Sequence, residues 1–425
     1  MAISIIQDLP TTSPAYNEMV VVVEQTTPAL LNEDNYKFVF EIYIALSGTP
    51  IRFNVYPDID NPTLGKLDVH KVLEPYVKSF LGDQIITGAA IGTADQSLNF
   101  FRIEYGWSYI DSSGVYQETL NDLTGSDKYF WEGVFDWYDF VDEINEPTPF
   151  NTYLCNTTNG TSAEFLTNKK TKKVTLTDNG FTQALTDVPS DIDYMEVKTY
   201  DSSNVLISTF QIATSVSPAS FAARNISLRS APQSLNDYTG AFLAGAQPII
   251  TASVAYYTIQ LFETTPTAVS EILTFELQEG CRYDIQRLHF HNKLGGFDAF
   301  NFTKASKKTT DINRKTYKTT PSRLSGSGYA YSYKDKANIT YYVSKQETMK
   351  LTSDWLTDEE HEWLLELVAS PEIYLETVNA KGDVQYKPIE KVNQKSYVEL
   401  NGNLDKLFNL EIEITFSQLD YTQRA

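Results

Sequence analysis

The run YKFVFEIYIAL, residues 36–46, sets aromatic and β-branched side chains in a two-residue alternation, and runs of the same kind recur along most of the chain. Alternation with a period of two buries one face and exposes the other, which suits a strand and not a helix. VVVVEQ (20–25), IRFNVYP (51–57), NFFRIEYGWSYI (99–110) and VYQETL (115–120) share the pattern. So do KKVTLT (172–177), YMEVKTYDSSNVLISTFQIA (194–213), NISLRSAP (225–232), PIITASVAYYTIQLF (248–262) and SEILTFELQ (270–278). Short runs with turn residues between them predict antiparallel sheets.

A chain of 425 residues exceeds one ordinary domain. We read a mainly β, multidomain protein: two antiparallel β-sandwich (Ig-like) domains followed by a smaller α+β C-terminal domain. The expected divisions are 1–150, with one short helix, then 151–286, a strand-turn-strand junction at 287–302, and 303–425. LDVHKVLEPYV (67–77) predicts the short helix, with Asp68 as its cap, Val69, Val72 and Leu73 on one face, and Pro75 at its end. KTYDSSNVLISTF (198–210) predicts a hairpin, and so does GYAYSYKDKANITYYVSKQ (328–346), with Tyr329, Tyr331 and Tyr333 on one strand face. LTDEEHEWLLELVASP (356–371) reads as the clearest helix. Thr357 and Glu360 form a capping box, and Trp363, Leu364, Leu367 and Val368 line one face. EIYLETV (372–378), YKPIEKV (386–392), KSYVELN (395–401) and LFNLEIEITFSQ (407–418) complete the strands.

Charge is distributed unevenly. The formal net charge is -21, which disfavours nucleic acid and anionic lipid as partners. Residues 1–150 carry 7 bases and 23 acids, whereas residues 301–350 carry 11 bases and 3 acids. Lys304, Lys307, Lys308, Arg314, Lys315, Lys318 and Arg323 therefore form a candidate basic interface for an acidic protein surface. The apolar runs at 19–25 and 248–262 are too short to cross a bilayer, so membrane insertion is not expected. The N-terminal stretch has no basic region ahead of a long apolar one, so no export is expected. Cys155 and Cys281 fit no metal or disulfide framework and read as free buried thiols.

No nucleophile elbow, zinc helix, phosphate-binding loop or full calcium loop occurs, and we expect no catalytic residue, metal or cofactor. DIDNPTLGKLD (58–68) begins like a calcium loop but has Pro62 and Thr63 where a ligand and a glycine belong. KYFWEGVFDWYDFVDEINEP (128–147) crowds aromatics among carboxylates. Trp131, Trp137, Tyr138 and Asp139 make a candidate glycan shelf, weighed against a partly buried segment with an acidic face.

The segment RLHFHNKLGGFDAFNF (287–302) holds two of the four histidines. His289 and His291 share a strand face, as a metal pair requires, and Asp298 returns across the turn as a third ligand. The preferred reading is a joint. Gly295 and Gly296 permit a tight turn with positive φ, Asp298 bonds nearby backbone, and Phe290, Phe297, Phe300 and Phe302 supply apolar surface. His289 and Asn292 complete the motif.

LHFHNKLGGFDAFNF (288–302) resembles a strand-turn-strand signature of structural proteins from the tail modules of phages infecting Bacteroidetes hosts, the crAss-like phages among them. SPAYNEMVVVV (13–23) with LGKLDVHKVLEPYV (64–77), and LTSDWLTDEEHEWLLELVASPEIYLE (351–376) with DKLFNLEIEITF (405–416), resemble the same proteins. His291 departs from the pattern, which is commonly apolar there. The resemblance implies a virion protein of the tail, tail tip or baseplate, or neck, built as a homo-oligomeric ring and joined to other virion proteins. It carries no catalytic residue. The alternatives are a carbohydrate-binding receptor module at the tail tip and, behind it, a glycan-degrading enzyme whose two carboxyl groups would stand roughly 5 to 10 Å apart.

Overall fold

The structure is a computed structural model. It describes residues 3–45, 48–84, 89–94, 96–122, 127–187, 192–214, 223–264, 266–278, 282–326, 328–392, 408–418 and 420–421. Strand makes up 48% and helix 12%, so the expected mainly β architecture holds, with several antiparallel sheets. The chain divides into two compact units, Met1–Gln278 with His291–Asp298, and Glu279–Phe290 with Ala299–Ala425. Cys281 and the predicted strand 395–401 lie outside the described residues.

In the first unit, Ile3–Gln7, Val20–Gln25 and Leu64–Asp68 form one sheet. A six-stranded sheet is centred on Asp34–Ile44 and Leu98–Ile110, paired from Phe38↔Trp107 to Ile44↔Phe101. Val21 and Val23 of the first sheet join Phe38, Phe40, Ile42, Phe101, Ile103 and Phe130 of the second in one buried cluster. Each such side chain contributes about 1.5–3 kcal/mol on leaving water. Inward-facing side chains of the alternating runs thus share one buried core.

A second pair of sheets follows. Phe181–Thr186, Arg224–Arg229 and Ile91–Thr93 form one, and Tyr194–Tyr200, Tyr256–Phe262, Leu206–Ala213 and three shorter strands form the other. Ile226 and Leu228 meet Val197, Ile212, Tyr257 and Ile259 in their shared core. The pairing of Ile226, Ser227 and Leu228 with Thr93, Gly92 and Ile91 carries this sheet across residue 150, where the sequence places a division. The two sheet pairs accordingly fall in one compact unit.

The second unit contains an eight-stranded sheet. Its order runs Phe297–Phe302, Gln286–His291, Ile373–Val378, Val384–Val392, Phe408–Phe416, Asn338–Leu356 and Lys307–Lys318, with Asp420–Tyr421 beside Asn338–Leu356. Helix Asp358–Ala369 packs Trp363, Leu364 and Leu367 against Leu288, Phe290, Phe302 and Ile412. Its predicted capping box is present. Thr357 Oγ1 accepts from the Glu360 N–H at 3.3 Å, and the Glu360 carboxylate accepts from the Thr357 N–H at 3.1 Å.

Three local expectations need correction. Leu64–Asp68 is a strand on Val20–Gln25, leaving one helical turn at His70–Leu73 and a 3₁₀ turn at Glu74–Tyr76. The ladder takes Leu67, and the Asp68 carboxylate accepts from both Met19 and His70 N–H groups, so no longer helix forms. Residues 328–346 are not a hairpin of their own. Gly328–Ala330 pairs with Arg323–Ser325, and Asn338–Leu356 pairs over twelve positions with the polar strand Lys307–Lys318. In 248–262 only Tyr256–Phe262 is strand, with Ile249 and Ile250 buried outside it. The hairpin around residues 201–204 forms as expected, with Asn204 at φ 61°.

Leu364 is fully buried. Leu364→Ala is expected to destabilise the second unit by about 2–5 kcal/mol, visible as a lower urea midpoint.

Candidate functional site: the junction hairpin and the basic ribbon

Strands Gln286–His291 and Phe297–Phe302 bring the junction motif together, and one turn joins them. Within the second unit, Phe290 and Phe302 are fully buried, and Phe300 packs edge-on to Phe302 at 5.1 Å. His289 Nε2 lies 2.7 Å from the Glu376 carboxylate, and Arg287 Nε lies 3.5 Å from the same oxygen. Arg287 also donates to Asn301 at 2.9 Å. The Tyr386 ring stands edge-on to His289, and burial holds its phenol well above the ordinary range.

The turn itself belongs to the first unit. Gly295 has φ +88°, the left-handed region that glycine enters freely. A Cβ there would also overlap the Glu132 carbonyl oxygen. Gly296 lacks the expected positive φ; its requirement is close approach, because a Cβ would press into the Leu166 carbonyl oxygen. The Asn292 side chain accepts from the Gly296 N–H at 2.9 Å and donates to Leu166 O at 2.8 Å and to Asp298 at 3.0 Å. Phe297 N–H donates to Gln183 at 2.6 Å, and the Trp131 indole donates to Leu294 O at 3.0 Å.

Asp298 anchors this turn. Its carboxylate accepts from Lys172 Nζ at 2.5 Å and from Thr167 Oγ1 at 2.8 and 3.0 Å. The side chains of Lys172 and Asp298 are 8% and 1% exposed, so the pair is dry and every oxygen needs a partner. Side chains more than a hundred residues away in the chain thus hold this carboxylate. Lys172, Thr167 and Gln183 were not legible as anchors, since pairing over more than a hundred residues leaves no local pattern.

The two histidines do not act together. His289 meets Glu376 in the second unit and His291 lies 3.7 Å from Glu132 in the first. Asp298 is committed to Lys172, so the metal reading loses its third ligand. Among the described residues, no group of three or more His, Cys, Asp or Glu is placed to hold a metal ion. Asp58, first in the calcium-like loop, pairs with Lys66 at 2.7 Å and accepts from the Asp60 and Asn61 N–H groups, which hold its carboxyl below the usual range. Cys155 is buried, and burial pushes its thiol up.

The glycan shelf loses a member. Trp131 is fully buried among Phe135, Phe150 and Tyr153. Trp137 and Tyr138 are exposed at 61% and 81%, but as neighbours on helix Trp137–Ile144 they diverge by about 100° and make no common flat surface. Asp139 is exposed and lies 3.5 Å from Lys293 Nζ.

The basic residues separate into two groups. Lys304 pairs with Asp354 at 3.0 Å and Lys308 with Glu347 at 2.5 Å. Lys307, Arg314, Lys315 and Lys318 stand on the fully exposed strand Lys307–Lys318 and have no ion-pair partner among the described residues. Lys315 lies over the Tyr342 ring at 5.3 Å. Arg323 begins the short strand Arg323–Ser325.

Removing the cation from the buried pair isolates a charge. Lys172→Met is expected to destabilise the first unit by about 3–5 kcal/mol, and adding Asp298→Asn should recover much of that loss in urea titrations.

No family model matches the chain, and no curated protein matches it. Among solved structures, a mutant of Salmonella alpha-2-macroglobulin is similar at 7% identity, over 99% of this chain and 33% of that one, with a TM-score of 0.16. A likeness of that size carries no argument about fold or function.

Proposed function

We propose that the chain is a structural protein of a tailed-phage virion, built in multiple copies into the tail, tail tip or baseplate, or neck, where it joins neighbouring components. The carrying observation is the ribbon formed by Lys307–Lys318 and Asn338–Leu356. It leaves all twelve residues of an edge strand exposed. Its outer part, Arg314–Lys318 with 338–343, is two-stranded among the described strands and so marginal in water, and an open strand edge is a template for another chain. Such an element makes sense where a partner covers it. The resemblance of 288–302 to tail-module proteins supports the same reading.

The reading includes a virion location, a homo-oligomeric ring, contacts with other virion proteins and no enzymatic role. It also includes the finer fold, two Ig-like sandwiches ahead of a smaller α+β domain, supported by the shared cores of facing sheets in the first unit. No helix among the described residues is long and apolar enough to cross a membrane. A carbohydrate-binding role at the tail tip is the second reading, favoured only by the exposure of Trp137 and Tyr138.

Light scattering and negative-stain imaging of the purified protein test the proposal. Discrete particles of uniform size are expected. A monomer that binds glycans, and loses that binding on Trp137→Ala, would transfer the assignment to the second reading.

A further inference from the structure

The exposed ribbon has two parts. Strand Phe408–Phe416 pairs with Thr348–Leu356, so the base of the ribbon lies within the sheet. Arg314–Lys318 and the facing residues 338–343 pair only with each other among the described strands. At about 3.3 Å per residue this two-stranded part extends roughly 20 Å. Tyr317 and Tyr341 are 49% and 52% exposed, with ring centroids 6.1 Å apart.

Charge restricts what can cover it. Residues 307–345 contain nine bases and two acids, net +7, which leaves the rest of the chain at -28. Pairing this edge with the same edge of another copy would set Arg314, Lys315 and Lys318 against their own kind, and like charges across a ladder are unfavourable. Two-fold pairing of this edge is therefore disfavoured. The cover has to be acidic and different from the ribbon.

The first unit presents such a surface. Residues 136–146 contain five acids and no base. Asp136, Asp139, Asp142 and Glu146 are exposed, and Lys293 is the cation that meets Asp136 and Asp139, at 3.0 and 3.5 Å. Burial raises the Glu143 carboxyl, and Glu164, Glu146 and Asp139 add to the rise, as expected where carboxylates outnumber cations. Trp137 and Tyr138 stand exposed on the same helix, ready to receive a guanidinium or ammonium on a ring face. Arg314 and Lys318 share one ribbon face about 13 Å apart, close to the roughly 12 Å length of helix Trp137–Ile144.

We propose that the ribbon of one copy docks on the acidic, aromatic helix Trp137–Ile144 of the next copy, head to tail. Because the two patches differ, the contact repeats in one direction and closes into a ring or extends as a filament. This inference rests on the assembly reading and supplies its contact.

The test uses the full chain in light scattering across salt concentrations, with circular dichroism to confirm folding. Wild-type protein is expected to associate at low salt and dissociate as salt rises. Arg314→Glu, Lys315→Glu and Lys318→Glu together should reduce association at least tenfold, as should Asp142→Lys with Glu146→Lys. Mixing the two variants should restore it, since each then offers the charge the other needs. If wild type associates and either variant associates equally well, the docking is refuted while assembly stands. A wild type that stays monomeric at low salt refutes both. Ribbon-dependent binding of a short duplex DNA in place of self-association would also overturn the docking.

Discussion

The contact between Asp298 and Lys172 governs more of this molecule than its size suggests. A carboxylate that is 1% exposed has lost its water, and here Lys172, Thr167 and Asn292 replace that water. Asn292 also holds the Gly296 N–H and the Leu166 carbonyl, so one network fixes both the turn at 291–298 and the segment from 166 to 172. The same hairpin sends Phe290 and Phe302 into the core of the second unit. One short piece of chain thus contributes buried side chains to each unit, and its polar anchors cannot be loosened without exposing an unpaired charge.

Much of the β architecture was legible because strand alternation is local. Helix Asp358–Ala369 was legible for the same reason, since its cap, acidic first turn and apolar face lie within a few residues. The turn at Gly295 and Gly296 was visible as a turn. The features that failed were those set by distant partners. Trp131 belongs to a strand whose four residues are all buried, so its aromatic and acidic neighbours in sequence said nothing about exposure. The helix expected over 67–77 shortened to turns at His70–Leu73 and Glu74–Tyr76 because Leu67 and Asp68 join the ladder on Val20–Gln25. Lys307–Lys318 carries no apolar alternation at all, and its strand identity comes from Asn338–Leu356.

The charge asymmetry was also visible in sequence, but its division into paired and unpaired parts was not. At the base of the ribbon, Lys308 and Lys345 share Glu347, Lys304 meets Asp354, and Lys350 meets Glu411. Exposed pairs of this kind contribute little to stability, about 0–1 kcal/mol each. Their effect is to neutralise the base. Toward the far end no carboxylate answers Arg314, Lys315 or Lys318 among the described residues, so the uncompensated charge is concentrated where the ribbon leaves the sheet.

That concentration resolves an apparent conflict in the design. An open edge with exposed tyrosines is a liability, because it invites pairing with any other edge. Lysine and arginine along the edge oppose pairing between identical copies, and the opposition is strongest where the ladder is least supported. The same cations lower the free energy of contact with a carboxylate surface, and residues 1–150, with 23 acids against 7 bases, are rich in such surface. Repulsion between like edges and attraction to a different face arise from one set of side chains, which is the condition for association that is directional instead of indiscriminate.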